Sequence, residues 1–271
     1  MKRTLSCLLI IILFILQAAC TNEESLDLGP KKEVSEFISK TYKAGKNSTL
    51  SVDSDYGNIC IYCWDNSEIK FDVKKKIRGI GDKNKLEKKL KDFKIETNGS
   101  ESVISLVSRY EGDKNNPIDN SIDVNIYVPR NSRDISLKLN TGTIKIIDSI
   151  KCNLKTDVKM ANVDIASMEG EIQALAQMGN IRIGSGRILK NSNIKLEQGN
   201  ISVKADLSKM SDGQFETGLG NIELQVEKNS LIEFETIGEV EINEFKNMVM
   251  EDVSGKIRLS TSMGKISIRK Y

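Results

Sequence analysis

The sequence predicts an all-β chain, a single-stranded β-helix or solenoid with coils of ~20 residues and one short helix in its N-terminal section. Three observations carry that expectation. Ile and Val together number 48 of the 271 residues while aromatic residues make up only 5%, a β-rich composition without large aromatic anchors. Ten of the 19 glycines are followed two positions later by Ile or Val, and eight of these extend to Gly-x-aliphatic-x-aliphatic. The copies recur at near-constant spacing: with Ala161-Asn162-Val163-Asp164-Ile165 filling one place, the steps from Gly142 are 19, 18, 20, 21 and 18 residues, reaching Gly238, and then 26 to Gly264. A repeat of that length with strand alternation cannot bury its apolar face alone, so neighbouring units must stack.

Residues 1–19 have the make-up of an export signal. Met1-Lys2-Arg3 is a positive start, Leu5 to Leu16 is apolar except at Ser6 and Cys7, and Gln17-Ala18-Ala19-Cys20 precedes polar Thr21-Asn22-Glu23-Glu24. The apolar run is shorter than the roughly 20 residues a bilayer-spanning helix needs. Small residues before a cysteine at the end of such a run resemble the bacterial lipobox, with Leu16 one place early and Gln17 where the leucine should be. Acylation of Cys20 is the favoured expectation; plain cleavage with secretion and an uncleaved anchor are the alternatives. Residues 20–32 then form a lipidated tether, which places the protein in the bacterial cell envelope outside the cytoplasmic membrane, held by its N-terminal lipid. Removing Lys2 and Arg3 from the 40 basic residues leaves 38 against 38 acidic ones, so no global charge draws the mature chain to nucleic acid.

Residues 33–271 read as one domain. Its first part, 33–130, is irregular, with one copy of the repeat at Gly57-Asn58-Ile59-Cys60-Ile61 and a helix near 83–93 that carries Leu86, Leu90 and Phe93 on one stripe. Its second part, 131–271, holds the regular coils, as in Gly179-Asn180-Ile181-Arg182-Ile183 and Gly199-Asn200-Ile201-Ser202-Val203. Gly57, Gly142, Gly179, Gly199, Gly220, Gly238 and Gly264 are expected to turn the chain with positive φ. Asn58, Asn162, Asn180, Asn200 and Asn221 recur beside them and suggest an Asn ladder. Both sets read as turn chemistry rather than ligand sites. The chain stops at Tyr271 directly after its last repeat, so the final coil is expected to be an uncapped edge open to self-association.

The segments Leu50-Ser51-Val52 to Gly57-Asn58-Ile59, Tyr127-Val128-Pro129 leading into Ile135 to Gly142, and the later Gly-Asn-Ile units resemble the DUF4097 family of bacterial envelope proteins, which carries an adhesin label. The resemblance covers roughly residues 33–271. It implies a β-solenoid at the cell surface and brings no catalytic residues with it.

Function classes narrow accordingly. The chain has no histidine, which removes Ser-His-Asp and Cys-His systems and every His-containing zinc site. Cys60 and Cys63 have CxxC spacing, but three positions along a strand put them on opposite faces. No catalytic, cofactor or metal residues are assigned. The expectation is a non-enzymatic, adhesin-like envelope lipoprotein that binds an envelope protein or polysaccharide, or serves as a scaffold, with no nucleic-acid partner. One alternative is a polysaccharide-active β-helix enzyme working through Asp53 and Asp55, or Glu239, Glu241 and Glu244. The other is contact with anionic membrane or wall polymer through residues 70–94, where 11 Lys+Arg face 4 Asp+Glu.

Overall fold

The computed structural model describes residues 31–45, 48–100, 102–112, 119–130, 132–246, 253 and 255–271; the expected signal segment and Cys20 lie outside the described residues. The N-terminal section contains β1 (Lys32–Lys43), β2 (Thr49–Trp64), β3 (Glu68–Gly79), α1 (Lys83–Leu90), β4 (Phe93–Gly99), β5 (Val103–Tyr110) and β6 (Asp119–Pro129). Then come β7 (Asp134–Lys151), β8 (Asn153–Gly170), β9 (Ile172–Met178), β10 (Ile181–Ile183), β11 (Gly186–Leu189) and β12 (Ser192–Gln198). The chain finishes with β13 (Ile201–Lys209), β14 (Asp212–Leu219), β15 (Ile222–Val226), β16 (Ile232–Asn243) and β17 (Gly255–Lys270).

The long strands bend, and their sequences show why. In β8 the side chains of Leu154, Thr156 and Val158 point inward; two exposed residues, Lys159 and Met160, then shift the alternation so that Ala161, Val163 and Ile165 are buried in turn. One strand thus lines two walls of the core. The sequence period becomes hydrogen-bond register: Ile144 lies beside Val163, Val163 beside Ile181, Ile181 beside Ile201 and Ile201 beside Ile222, all in parallel ladders. Each aliphatic residue therefore packs on its own copy, and the buried residues form one continuous core.

The expected succession of single-stranded coils is not what forms. The pairings β8–β9, β9–β12, β12–β14 and β14–β17 run along one side, and β17–β15, β15–β13, β13–β10 and β10–β8 return along the other. Together they make a closed barrel of eight parallel strands, to which the remaining strands are added. The cause is the bend in β8 and β17: their first and second halves pair with different neighbours, which joins the two sides. The end of the chain also departs from expectation. Ile222 of β15 pairs with Ile266 rather than with the next repeat, and Ile266 pairs in turn with Val240 of β16. β17 is thus an interior strand, and β16 takes the outer position expected of the C-terminus.

On the other side of β7, the first half of β2 pairs with β5 and its second half with β6. Antiparallel strands finish this end: β3 beside β6, β1 beside β3, and β4 beside β5. The expected helix is shorter than 83–93. Asp82 caps it by accepting from the Asn84 backbone N–H at 3.1 Å, and Leu86 and Leu90 are buried, whereas Phe93 already opens β4.

The corners are the tightest points. Gly199 has φ +140°, and a Cβ there would collide with the carbonyl oxygen of Gly179 in the neighbouring strand. Gly81 also has positive φ, +118°, but nothing lies within 4 Å of a Cβ built on it. Gly199→Ala should therefore cost about 3–5 kcal/mol in urea unfolding, against about 1–2 kcal/mol for Gly81→Ala, which carries the backbone strain alone.

Candidate functional site

All seven glycines expected at turns have positive φ, from +112° at Gly57 to +149° at Gly220. Four of the five asparagines form a ladder along the corners. The Asn180 backbone N–H donates to Asn162 Oδ1 at 2.9 Å, that of Asn200 to Asn180 Oδ1 at 2.9 Å, and that of Asn221 to Asn200 Oδ1 at 2.8 Å. Asn58 is not part of it, because Thr143 stands between Asn58 and Asn162 in the register. Asn58 Nδ2 instead donates to Asp123 Oδ1 at 2.8 Å.

The carboxylates considered for catalysis already have partners; Asp53 and Asp55 come together around Arg109 and line one shallow depression with Lys138, Asn140, Asp157 and Lys159. Asp53 is bridged to Arg109 at 2.7 Å, and Asp55 accepts from Asn140 Nδ2 at 2.9 Å and from the Tyr110 backbone N–H at 3.1 Å. On β16, Glu241 is bridged to Lys265 at 3.0 Å, whose hydrogen bond holds its carboxyl below the usual range. Glu244 accepts from the Lys270 backbone N–H at 2.7 Å, and Glu239 lies opposite Lys265 in the register. Cys60, Cys63 and Cys152 are free thiols. Burial pushes the Cys63 thiol up to about 11 and that of Cys152 up to about 12.

One outer face differs from the mixed-charge surface around it. Along β2, Asn58, Cys60, Tyr62 and Trp64 project outward between buried Ile59 and Ile61; along β6, Asp123, Asn125 and Tyr127 do so between buried Val124, Ile126 and Val128. The register sets Asn58 beside Asp123, Cys60 beside Asn125 and Tyr62 beside Tyr127. On β3, Lys74, Asp72 and Lys70 continue these three rows. The Tyr62 and Tyr127 rings stack with centroids 5.3 Å apart, the Trp64 ring lies 5.5 Å from that of Tyr127, and Lys70 Nζ lies 5.4 Å from the Tyr127 centroid. Trp64 Nε1 donates to the Glu68 carbonyl at 2.7 Å, which fixes the indole.

Beside the rings, Asn58, Cys60, Asp123, Asn125, Thr143 and Lys145 line a depression of about 310 Å³. It holds amide, carboxylate, hydroxyl and ammonium groups able to donate to and accept from a polar ligand. Reading the sequence for chemistry weighed only Cys60 and Cys63 in this run and did not single out Tyr62 and Trp64. Their alternation with Ile59 and Ile61, which marks them as outward-facing, was the available signal.

No protein-family model matches the chain, and no curated protein matches it; the DUF4097 resemblance rests on the motifs quoted for it. Among solved structures the chain is similar to a "putative adhesin" from Bacteroides fragilis, with 15% identity over 87% of this chain and 97% of that one and a TM-score of 0.47. It is also similar to a "putative cell adhesion protein" from Clostridium sporogenes, with 15% identity over 89% and 100% and a TM-score of 0.37. A "putative lipid binding protein" from Parabacteroides distasonis shows 10% identity over 89% and 97% and a TM-score of 0.28. Among the described residues no helix is long and apolar enough to cross a membrane.

Two expectations can be checked directly. Asn180→Ala removes the acceptor of the Asn200 N–H and should cost about 1 kcal/mol in urea unfolding, whereas Asn58→Ala, which loses one exposed hydrogen bond, should cost about half as much or less. Thiols with raised pKa values stay protonated at pH 8. Iodoacetamide should therefore modify Cys63 slowly and Cys152 more slowly still, with rates rising as pH approaches 11 and on unfolding in urea.

Proposed function

We propose that this protein is a non-enzymatic, adhesin-like binding module of the bacterial cell envelope, tethered through acylated Cys20, that holds a polysaccharide against the outer face of β3, β6, β2 and β7. The observation that supports this most is the group formed by Tyr62, Trp64 and Tyr127 beside the depression at Asn125 and Lys145. Sugars present apolar C–H faces edged by hydroxyl groups. Aromatic side chains meet the first at low entropic cost, and amides and carboxylates meet the second. Four adjacent strands give a width of about 14 Å, suited to an extended chain rather than a small compact ligand.

The arrangement favours binding over turnover. Asp72 beside the rings is bridged to Lys70 at 2.8 Å, and Asp123 accepts from Asn58 Nδ2 at 2.8 Å, so each acid nearest the depression is already engaged by a neighbouring side chain. The export signal and the DUF4097 resemblance point to the same location and role.

Trp64 is the sole tryptophan, so emission excited selectively in the indole reports on this face alone. Titration with size-fractionated envelope polysaccharides should change its emission saturably. Tyr127→Ala should raise Kd roughly tenfold, about 1.4 kcal/mol, while Lys159→Ala, on β8 away from the face, should leave it unchanged. If no fraction changes the emission, or Tyr127→Ala binds as tightly as the parent chain, the assignment fails. Photocrosslinking from position 62 that captures a protein and no glycan would replace the polysaccharide by a protein ligand.

A further inference from the structure

The excess of basic residues over 70–94 is not one uniform patch, because five of the eleven basic side chains are paired with carboxylates within the fold. Lys70 is bridged to Asp72, Lys75 to Glu36 and Arg78 to Glu33, at 2.8, 2.7 and 2.8 Å, and Lys83 and Lys94 have longer contacts with Glu87 and Glu111 at 3.7 and 3.8 Å. Of the others, Lys74 and Lys76 lie on β3, and Lys85, Lys88, Lys89 and the C-cap Lys91 gather on α1 and its end. Leu86 and Leu90 turn one side of the helix into the core, and Lys85, Lys88 and Lys91, three residues apart, are exposed on the other side. Among the described residues no carboxylate is bridged to any of the three. Ile80, 44% exposed, sits between β3 and α1.

The position of this stripe matters as much as its charge. Lys32, the first residue of β1, pairs with Gly79, the last residue of β3, and α1 begins only four residues after Gly79. The chain that leads back to Cys20 therefore leaves the fold beside α1. Eleven residues, 21–31, separate Cys20 from Lys32, a covalent reach of at most roughly 35–40 Å. An acylated Cys20 would keep α1 within that distance of the bilayer, and charge complementarity selects the surface it meets there.

We infer that the Lys85–Lys88–Lys91 stripe of α1 docks on anionic lipid headgroups of the membrane that carries the tether, with Ile80 at the interface. Docking of this kind orients the barrel with its β1 and α1 end toward the membrane. The inference rests on the tether proposed at Cys20 and is independent of the polysaccharide reading.

The test uses the full chain as the producing cell makes it, mixed with vesicles of phosphatidylcholine alone or with about a third phosphatidylglycerol, followed by lysine acetylation read residue by residue by mass spectrometry. On the anionic vesicles Lys85, Lys88 and Lys91 should be acetylated at least about threefold more slowly than on the zwitterionic ones, and the protection should vanish in high salt. Lys138 and Lys159, on β7 and β8, should label equally on both. Equal labelling of the α1 lysines on the two vesicle types, failure of the chain to float with either, or equal protection of Lys138 and Lys159 would overturn the inference. Protection by soluble polyglycerol phosphate with none from anionic vesicles would also overturn it, assigning the stripe to wall polymer instead.

Discussion

The structure depends on one constraint: each inward aliphatic residue must sit on the copy of itself one repeat away, while the corner between walls stays narrow enough for the backbones to keep pairing. Ile144, Val163, Ile181, Ile201 and Ile222 form such a column, and Gly142, Gly179, Gly199 and Gly220 turn the chain at the corner next to it. A carbonyl oxygen from the neighbouring strand occupies the place where a side chain would begin. Small residues at the corner and branched residues after it are two sides of the same requirement. The Asn ladder occupies the next position and satisfies backbone N–H groups at the turn.

How much of this could be read from the sequence follows from how local each cause is. The Gly-Asn-Ile spacing encodes register directly, so the parallel ladders, the positive-φ corners and the buried Ile and Val columns were all legible. Closure was not, because it depends on β8 and β17 each serving two neighbours, and a repeat pattern specifies what stacks without specifying which copies meet at the ends. The wider step from Gly238 to Gly264 was the one trace of the change in strand order. Asn58 illustrates the same limit: it looks like its four counterparts in one dimension, but Thr143 separates it from them in the fold.

The outer face follows from the same alternation. Burial of Ile59, Ile61, Val124 and Ile126 obliges Cys60, Tyr62, Asn125 and Tyr127 to project outward, and register brings them side by side. Position was thus legible strand by strand, whereas the stacking of Tyr62 on Tyr127 required knowing that β2 and β6, far apart in sequence, are neighbours. The candidate site is a product of topology, which is why scanning for catalytic motifs passed over it.

The order of the last strands bears on how the barrel ends. A terminal strand left on the outside would expose a row of unpaired backbone groups and a loose chain end at the same place. Here β17 is held between β14 and β15 on one side and β16 on the other, so Tyr271 follows a strand paired on both sides. The exposed position falls to β16, which carries Glu233, Glu235, Glu239 and Glu241. Antiparallel pairing of two copies centred on Ile237 would set Glu235 against Glu239 and Glu233 against Glu241, like charges directly opposed and therefore destabilising. The strand that replaces the chain end at the edge thus brings a row of like charges to any such self-pairing.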